Sequence, residues 1–499
     1  MSTNTPEPQI GRVAARGAVW MIATSIGARV IGLLGTLIVT RFLAPDVMGD
    51  IAAAMIVSLT TGCLVTWGFG QYAVVEGRGA DALEVTWHAT VAYTVVGLVG
   101  FGGVTALAPV LADALGAPGA ARYIPGFALA AIIRRVGATP ERVLTRSLRF
   151  RSVAVASAAG EVAYGIVATS LVASGWGGQG VIVGNIVQSS VASALLIRAA
   201  GWREWATPVR LRWQRFARML RFGVPLAVQS TAHAASRYWG TLLITRLFGS
   251  AATGLYSLAY NFADIPAIYI GEQLALVLMP SMANLPPERR APALERSTRL
   301  LALILFPLAI GLGLVAEPLI AIVLPAKWQG VAPLLVVLSA LSVFRPITWT
   351  LSAYLEARAQ TGRLMLLEVA SLIVMLCGIW LLSPLGIVWS AAAVGMAFGL
   401  YAIAGVLVVS RSGLSIARLA IGFVQPLVAC GAMALVVLML RPILQATVRL
   451  PAQLAVEILV GAFVYVNAAL VVCRATARDL IGVVREMIWS RTGRYERRE

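Results

Sequence analysis

The chain is 499 residues long, with 59% of them hydrophobic and only 12% charged, about half the charged share of a soluble protein. At a mean hydropathy of +0.83 a water-soluble fold has nowhere to hide the apolar surface. A polytopic membrane protein follows, and disorder, coiled coil and an ordinary soluble enzyme are excluded. The net charge is +18, and of the 40 basic residues only Lys327 is a lysine. Whether the arginines serve nucleic acid or follow the positive-inside rule is decided by where they lie.

A spanning helix needs about 20 mostly apolar residues. Fourteen stretches qualify: 17–40, 48–70, 85–112, 121–143, 152–174, 179–199, 219–246, 251–280, 297–324, 330–355, 363–383, 386–409, 416–440 and 452–473. Runs of this length read as helices, since barrel strands are short and alternate. The first run follows Arg12 and Arg16, as a signal peptide would, but it continues past Arg29 to Val39 and reads as a membrane helix. Arg134, Arg135 and Pro140 interrupt the fourth stretch, and Pro346 the tenth.

These elements group into a polar, disordered N-terminus (1–10), a six-helix lobe (11–199), a cytoplasmic linker (200–217), a second six-helix lobe (218–409), two further helices (410–474) and a basic tail (475–499). With the N-terminus in the cytoplasm, 31 cations fall on the cytoplasmic side, including the six arginines from Arg134 to Arg151. Six fall outside (Arg41, Arg122, Arg246, Lys327, Arg441 and Arg449), and Arg29, Arg237 and Arg345 remain within spans. That bias places both termini in the cytoplasm. The linker carries Trp202, Trp205 and Trp213 among arginines and reads as an interfacial helix on anionic lipid, not a nucleic-acid site. The tail, with Leu480, Val484, Met487 and Ile488 at helical spacing, reads likewise.

An internal repeat is visible. Thr40, Arg41, Phe42, Leu43 and Ala44 match Thr245, Arg246, Leu247, Phe248 and Gly249, and Gly49 matches Gly254 at the same offset of 205. Six spans per half is an even number, so the halves share orientation about a pseudo-two-fold axis along the membrane normal.

Chemistry is carried by the charges inside spans. An arginine at the bilayer centre costs about 2.5–3.5 kcal/mol and seldom faces lipid. Arg29 and Arg237 lie within one helical turn of each other under the repeat and would line a cavity between the halves. They either share an anion site or are each locked to a buried carboxylate. His233 shares a face with Arg237 and is either a substrate contact or a hydrogen-bonded helix histidine. Arg345 sits at an expected helix break, where structural and functional roles are both open. The carboxylates Glu161, Asp264, Glu272 and Glu368 are arginine partners or ion-coupling sites. Glu457 lies outside the repeat and is a weaker candidate, and Gln71, Gln188, Gln229 and Asn261 could add donors.

Several signals are absent. The four cysteines (Cys63, Cys377, Cys430 and Cys473) show no CxxC or zinc spacing, and there are two histidines, so no metal and no cofactor is expected. There is no phosphate-binding GxxxxGK[ST], no carboxylate cluster on a cytoplasmic loop and no long outer loop for a polymerase. An enzyme is not expected.

Ala18, Val19 and Trp20 through Arg29 to Pro45, the basic stretch from Thr139 to Phe150, Arg237 to Arg246 with Gly254, Tyr256, Tyr260 and Pro266, and Met279 and Pro280 to Leu285 together carry a resemblance to the bacterial polysaccharide flippases (the polysaccharide transporter or Wzx-like group) of the multidrug/oligosaccharidyl-lipid/polysaccharide exporter superfamily. It implies a MATE-like fold of about 14 transmembrane helices, two six-helix lobes plus two C-terminal helices, around a cationic cavity. It implies an undecaprenyl-diphosphate-linked oligosaccharide turned over to the outer leaflet of the bacterial inner membrane, for exopolysaccharide or lipopolysaccharide synthesis. Arg29 and Arg237 match the family's cavity arginines. Membrane lipids, a polymerase and a chain-length regulator are the implied partners, and nucleic acid is not. The rival readings are a cation-coupled multidrug extruder of the same fold and a non-transporting scaffold of polysaccharide assembly.

Overall fold

The computed structural model describes residues 35–77, 81–147, 149–266, 285–358, 360–410 and 415–482, besides the isolated Gly32 and Met282. Backbone polar groups find no water in hydrocarbon and must bond within the segment, so the apolar runs become helices. In order these are α1 (Pro45–Leu64), α2 (Phe69–Val75), α3 (Ala82–Ala106), α4 (Ile124–Arg146), α5 (Phe150–Leu171), α6 (Gly178–Ala200), α7 (Trp213–Pro266), α8 (Pro287–Leu314), α9 (Val331–Leu341), α10 (Arg345–Ala357), α11 (Thr361–Leu382), α12 (Ile387–Ser410), α13 (Ile416–Thr447) and α14 (Leu450–Val472), joined by short helical turns. Eleven helices of the described residues are long and apolar enough to cross a membrane. The α4 helix has the length but also Arg134, Arg135, Glu141 and Arg142. The seventh predicted span and the described part of the eighth form the single element α7, broken at Gly249, whose φ of 80° suits glycine. The expected break at Pro346 is a 3-10 turn, Ser342–Phe344. Most of the first predicted span lies outside the described residues.

The chain divides into two compact units, 1–257 and 258–499. Expectation placed the start of the second half at 218, but most of α7 packs with the first unit. The reason is backbone proximity. A Cβ on Gly49 would overlap the carbonyl of Ser250, and a Cβ on Gly254 would overlap the carbonyl of Pro45. Pro45 and Ser250, like Gly49 and Gly254, are separated by the repeat offset. The contact is therefore reciprocal, as a local two-fold axis requires. Lipid tails are as apolar as leucine, so such helix contacts rest on close packing of small residues. Ser250 Oγ donates to Asp50 Oδ1 at 2.5 Å beside it, and Trp239 Nε1 donates to Thr60 Oγ1 at 3.3 Å further along.

The linker departs from the expected interfacial helix. Between α6 and α7 only Trp202–Trp205 is helical. The chain then runs without helix to 212, pinned against the start of α3. The buried His88 accepts the Arg212 backbone N–H on Nε2 at 2.9 Å, while its Nδ1 faces the Glu84 carbonyl at 2.7 Å. A carbonyl only accepts, so Nδ1 carries the proton and the ring is neutral. Arg215 bridges Asp81 at 2.7 Å and Glu84 at 3.4 Å. Hydrogen bonding to Asp81 pushes its pKa above the ordinary guanidinium value. Trp202 and Trp213 stay exposed, as an aromatic anchor at a membrane interface would.

In the second unit a buried charge cluster ties α13 and α14 to α8. Arg441 bonds both oxygens of Glu457 at 3.1 Å and the Leu314 carbonyl, and Gln453 donates to Glu457 at 2.9 Å. Glu457 is thereby a structural partner. The tail begins as a helix over 474–482, where Arg296 holds Asp479 and keeps its carboxyl below the usual range. The other tail residues, Val484, Met487 and Ile488 included, lie outside the described residues.

Three outcomes follow from these contacts. Gly254→Val forces two backbones apart and destabilises the protein by about 1–3 kcal/mol or more. Gly102→Val, at a position with nothing within 4 Å of a new Cβ, leaves the melting temperature of the purified protein near wild type. His88→Leu strands the Arg212 amide at a cost of about 1–3 kcal/mol, and faster tryptic cleavage after Arg210 in the purified protein reports the loosened linker.

Candidate functional site: charges within the spans

Each intramembrane charge has a distinct environment. In the first unit α4 carries Arg134 and Arg135 near its middle. Both had been counted with the cytoplasmic side. Helix α4 extends to Arg146, so the pair sits about three turns from that end. Arg135 turns toward α1 and α3. It donates to the Gly62 carbonyl at 2.6 Å and to Thr66 Oγ1 at 2.9 Å, with its guanidinium 5.5 Å from the Tyr93 ring centre and 5.9 Å from that of Phe101. Carbonyls and aromatic faces hold this cation.

Its neighbour points elsewhere. Arg134 Nη2 reaches Ser189 Oγ on α6 at a long 3.4 Å. The nearby carboxylate, Glu161 on α5, accepts from Gln188 Nε2 at 2.8 Å, and Gln188 Oε1 accepts from Asn185 at 3.2 Å. Ser193 Oγ donates to the Ile133 carbonyl, fastening α6 to α4. A Cβ on Gly32 would lie 4.0 Å from Glu161 Oε2. Sequence reasoning singled out Glu161 and Gln188 but missed Arg134 and Arg135. The available signal was two adjacent arginines with ten apolar or small residues before them.

Arg237 is half-buried on the first leg of α7, with its guanidinium 5.8 Å from the ring centre of Tyr238. Arg29, Glu272 and the side chains of His233 and Gln229 lie outside the described residues.

In the second unit Arg345, at the first position of α10, forms a buried ion pair with Asp264 on α7. Asp264, read from sequence as an arginine partner or an ion-coupling site, pairs with an arginine 81 residues further along the chain. Tyr260 Oη stands 3.3 Å from Arg345 Nη2, and the Phe398 ring lies 5.0 Å from the guanidinium carbon. Arg345 Nε is buried without a hydrogen-bond partner. Glu368 sits half-buried on α11. No group of three or more metal-ligating side chains occurs among the described residues.

These features place the chain among known proteins. Residues 38–333 match the model of a family described as polysaccharide biosynthesis protein. The lipopolysaccharide biosynthesis protein WzxC of Escherichia coli (strain K12) is 24% identical over 69% of this chain and 70% of its own length. The succinoglycan biosynthesis transport protein ExoT of Rhizobium meliloti (strain 1021) is 25% identical over 65% of each. Among solved structures, the lipid II flippase MurJ in an inward closed conformation superposes with a TM-score of 0.78 at 13% identity, covering 93% of this chain and 100% of MurJ. An inward-facing multidrug resistance MATE transporter gives 0.58 at 16% identity, covering 77% and 95%. At such identities the structural likeness speaks for the fold alone, which is MATE-like, while the family match spans more than half of the sequence. The protein is a polytopic, all-helical membrane protein that belongs to the polysaccharide biosynthesis protein family.

Proposed function

We propose that the protein is a flippase. It carries oligosaccharide repeat units linked to undecaprenyl diphosphate from the cytoplasmic to the periplasmic leaflet of the bacterial inner membrane, with both termini in the cytoplasm. The family match supports a role in polysaccharide synthesis, and ExoT, by its printed name a transport protein, supports transport over catalysis. The observation that carries the reading is Arg237, a cation inside a span of a chain with that kinship.

The physics is direct. A sugar head group cannot enter hydrocarbon without losing its hydration. Arg237, with Arg29 of the preceding repeat, offers planar bidentate contacts to a diphosphate while the prenyl tail stays in lipid. Alternating access requires helices that separate and rejoin, and the contact at Gly49 and Gly254 suits that task. It rests on backbone proximity rather than interlocked side chains. The polymerase and chain-length regulator of such a pathway are the natural partners. A multidrug extruder of the same fold is the second reading, favoured by the likeness to the MATE transporter, but cationic groups within the spans suit anions rather than cationic drugs.

Deletion of the gene abolishes surface polysaccharide without altering drug susceptibility. Arg29→Ala or Arg237→Ala, losing charge-assisted bonds worth about 1.5–3 kcal/mol, lowers polymer about tenfold or more, and lysine restores part. Normal polymer from stably inserted alanine variants overturns the assignment. Asp264→Asn and Arg345→Gln each leave a buried charge unpaired and destabilise by about 3–5 kcal/mol. If the pair is structural, the double variant regains both melting temperature and polymer. If Asp264 takes up a coupling ion, the double variant folds and makes none.

A further inference from the structure

The first unit holds more positive than negative charge at membrane depth. Among the described residues of α1 and α3–α6, the charges near mid-span are Arg134, Arg135 and Glu161. Two cations face one carboxylate. Arg135 is spent on carbonyl, hydroxyl and aromatic partners. Glu141 and Arg142, two turns along α4, cancel each other in charge. Among the described residues of these five helices one positive charge is in excess, and intramembrane charges are ordinarily paired.

Arg134 is the group through which that charge is available. Leu129 and Val136, 48% and 40% exposed, mark the outer face of α4. At about 100° per residue they lie roughly 140° and 160° around the helix from Arg134. Arg134 therefore points into the bundle, toward α5 and α6, and is nevertheless exposed there. An exposed side chain on an inward face lines a hollow. Of its five N–H donors one makes a bond, the long one to Ser189, and Arg134 forms no ion pair among the described residues. Across the hollow Gln188 occupies Glu161 Oε1. Glu161 Oε2 has no hydrogen-bond partner and is not sealed from solvent.

We propose that this hollow, formed by Arg134 on α4, Glu161 on α5 and Asn185, Gln188 and Ser189 on α6, is a subsite for one carboxylated sugar of the transported oligosaccharide. Arg134 holds the sugar carboxylate. The Glu161 Oε2 acceptor and the carboxamides of α6 take ring hydroxyls, which both donate and accept. A diphosphate carries more charge and would be repelled by Glu161. The inference rests on the transport reading for its context but not for its test.

The test uses the purified full-length protein in nanodiscs and calorimetric titration with digalacturonate and with its neutral counterpart digalactose. Wild type binds the acidic disaccharide about tenfold more tightly, the worth of one charge-assisted contact. Arg134→Gln abolishes that preference, Arg134→Lys keeps part of it, and Gln188→Leu weakens both sugars alike. Equal affinities in wild type, which needs no variant to fold, overturn the proposal. So does a preference that survives Arg134→Gln. Inorganic diphosphate that binds more tightly than digalacturonate, and loses that binding in Arg134→Gln, assigns the hollow to phosphate and also overturns it. Polymer that persists in a deletion strain defeats the transport reading alone, because these titrations measure binding without transport.

Discussion

The absence of water at membrane depth governs this molecule. A polar group there is satisfied by protein or stands open to a ligand. Arg441 closes on Glu457, Gln453 and a carbonyl. Arg345 closes on Asp264 between aromatic rings. Arg135 closes on a carbonyl, a hydroxyl and two rings. Set against these, Arg134 with one long bond stands apart. An arginine so placed is costly enough that its openness asks for a use.

The same solvent removes the usual reason for helices to associate. Contacts are made by shape, and shape at close range means small residues. The reciprocal meeting of Gly49 and Gly254 is the clearest case, and it accounts for most of α7 lying with the first unit. The aromatic and aliphatic clusters, such as Phe306, Met433 and Tyr465 between α8, α13 and α14, then fill the space that such contacts leave.

Much of this was legible from the chain alone. Hydropathy runs located the helices because hydrocarbon demands length and apolarity, and Pro346 announced the interruption before α10. The repeat was readable as a matched motif, and its offset recurs in the contact between α1 and α7. Partnerships were less legible. Asp264 and Arg345 are 81 residues apart, and no periodicity joins them. Arg134 and Arg135 were counted with the cytoplasmic end of the fourth stretch because charge counting by side treats arginines near a proline as a boundary, while Pro140 sits inside a continuous helix. The linker, rich in tryptophan and arginine, looked amphipathic, but His88 on another helix dictates an extended path. In each case the deciding partner was distant in sequence.

The unit boundary at 257 bears on how the chain is made. Duplication suggests two modules that could mature one after the other. The backbone of α1 at Pro45 and Gly49, however, packs against Ser250 and Gly254. During synthesis the first six helices must wait in the bilayer, with that surface uncovered, until the opening helices of the second repeat have entered beside them. An expressed 1–199 fragment would lack Ser250 and Gly254, the partners against which its own first described helix packs.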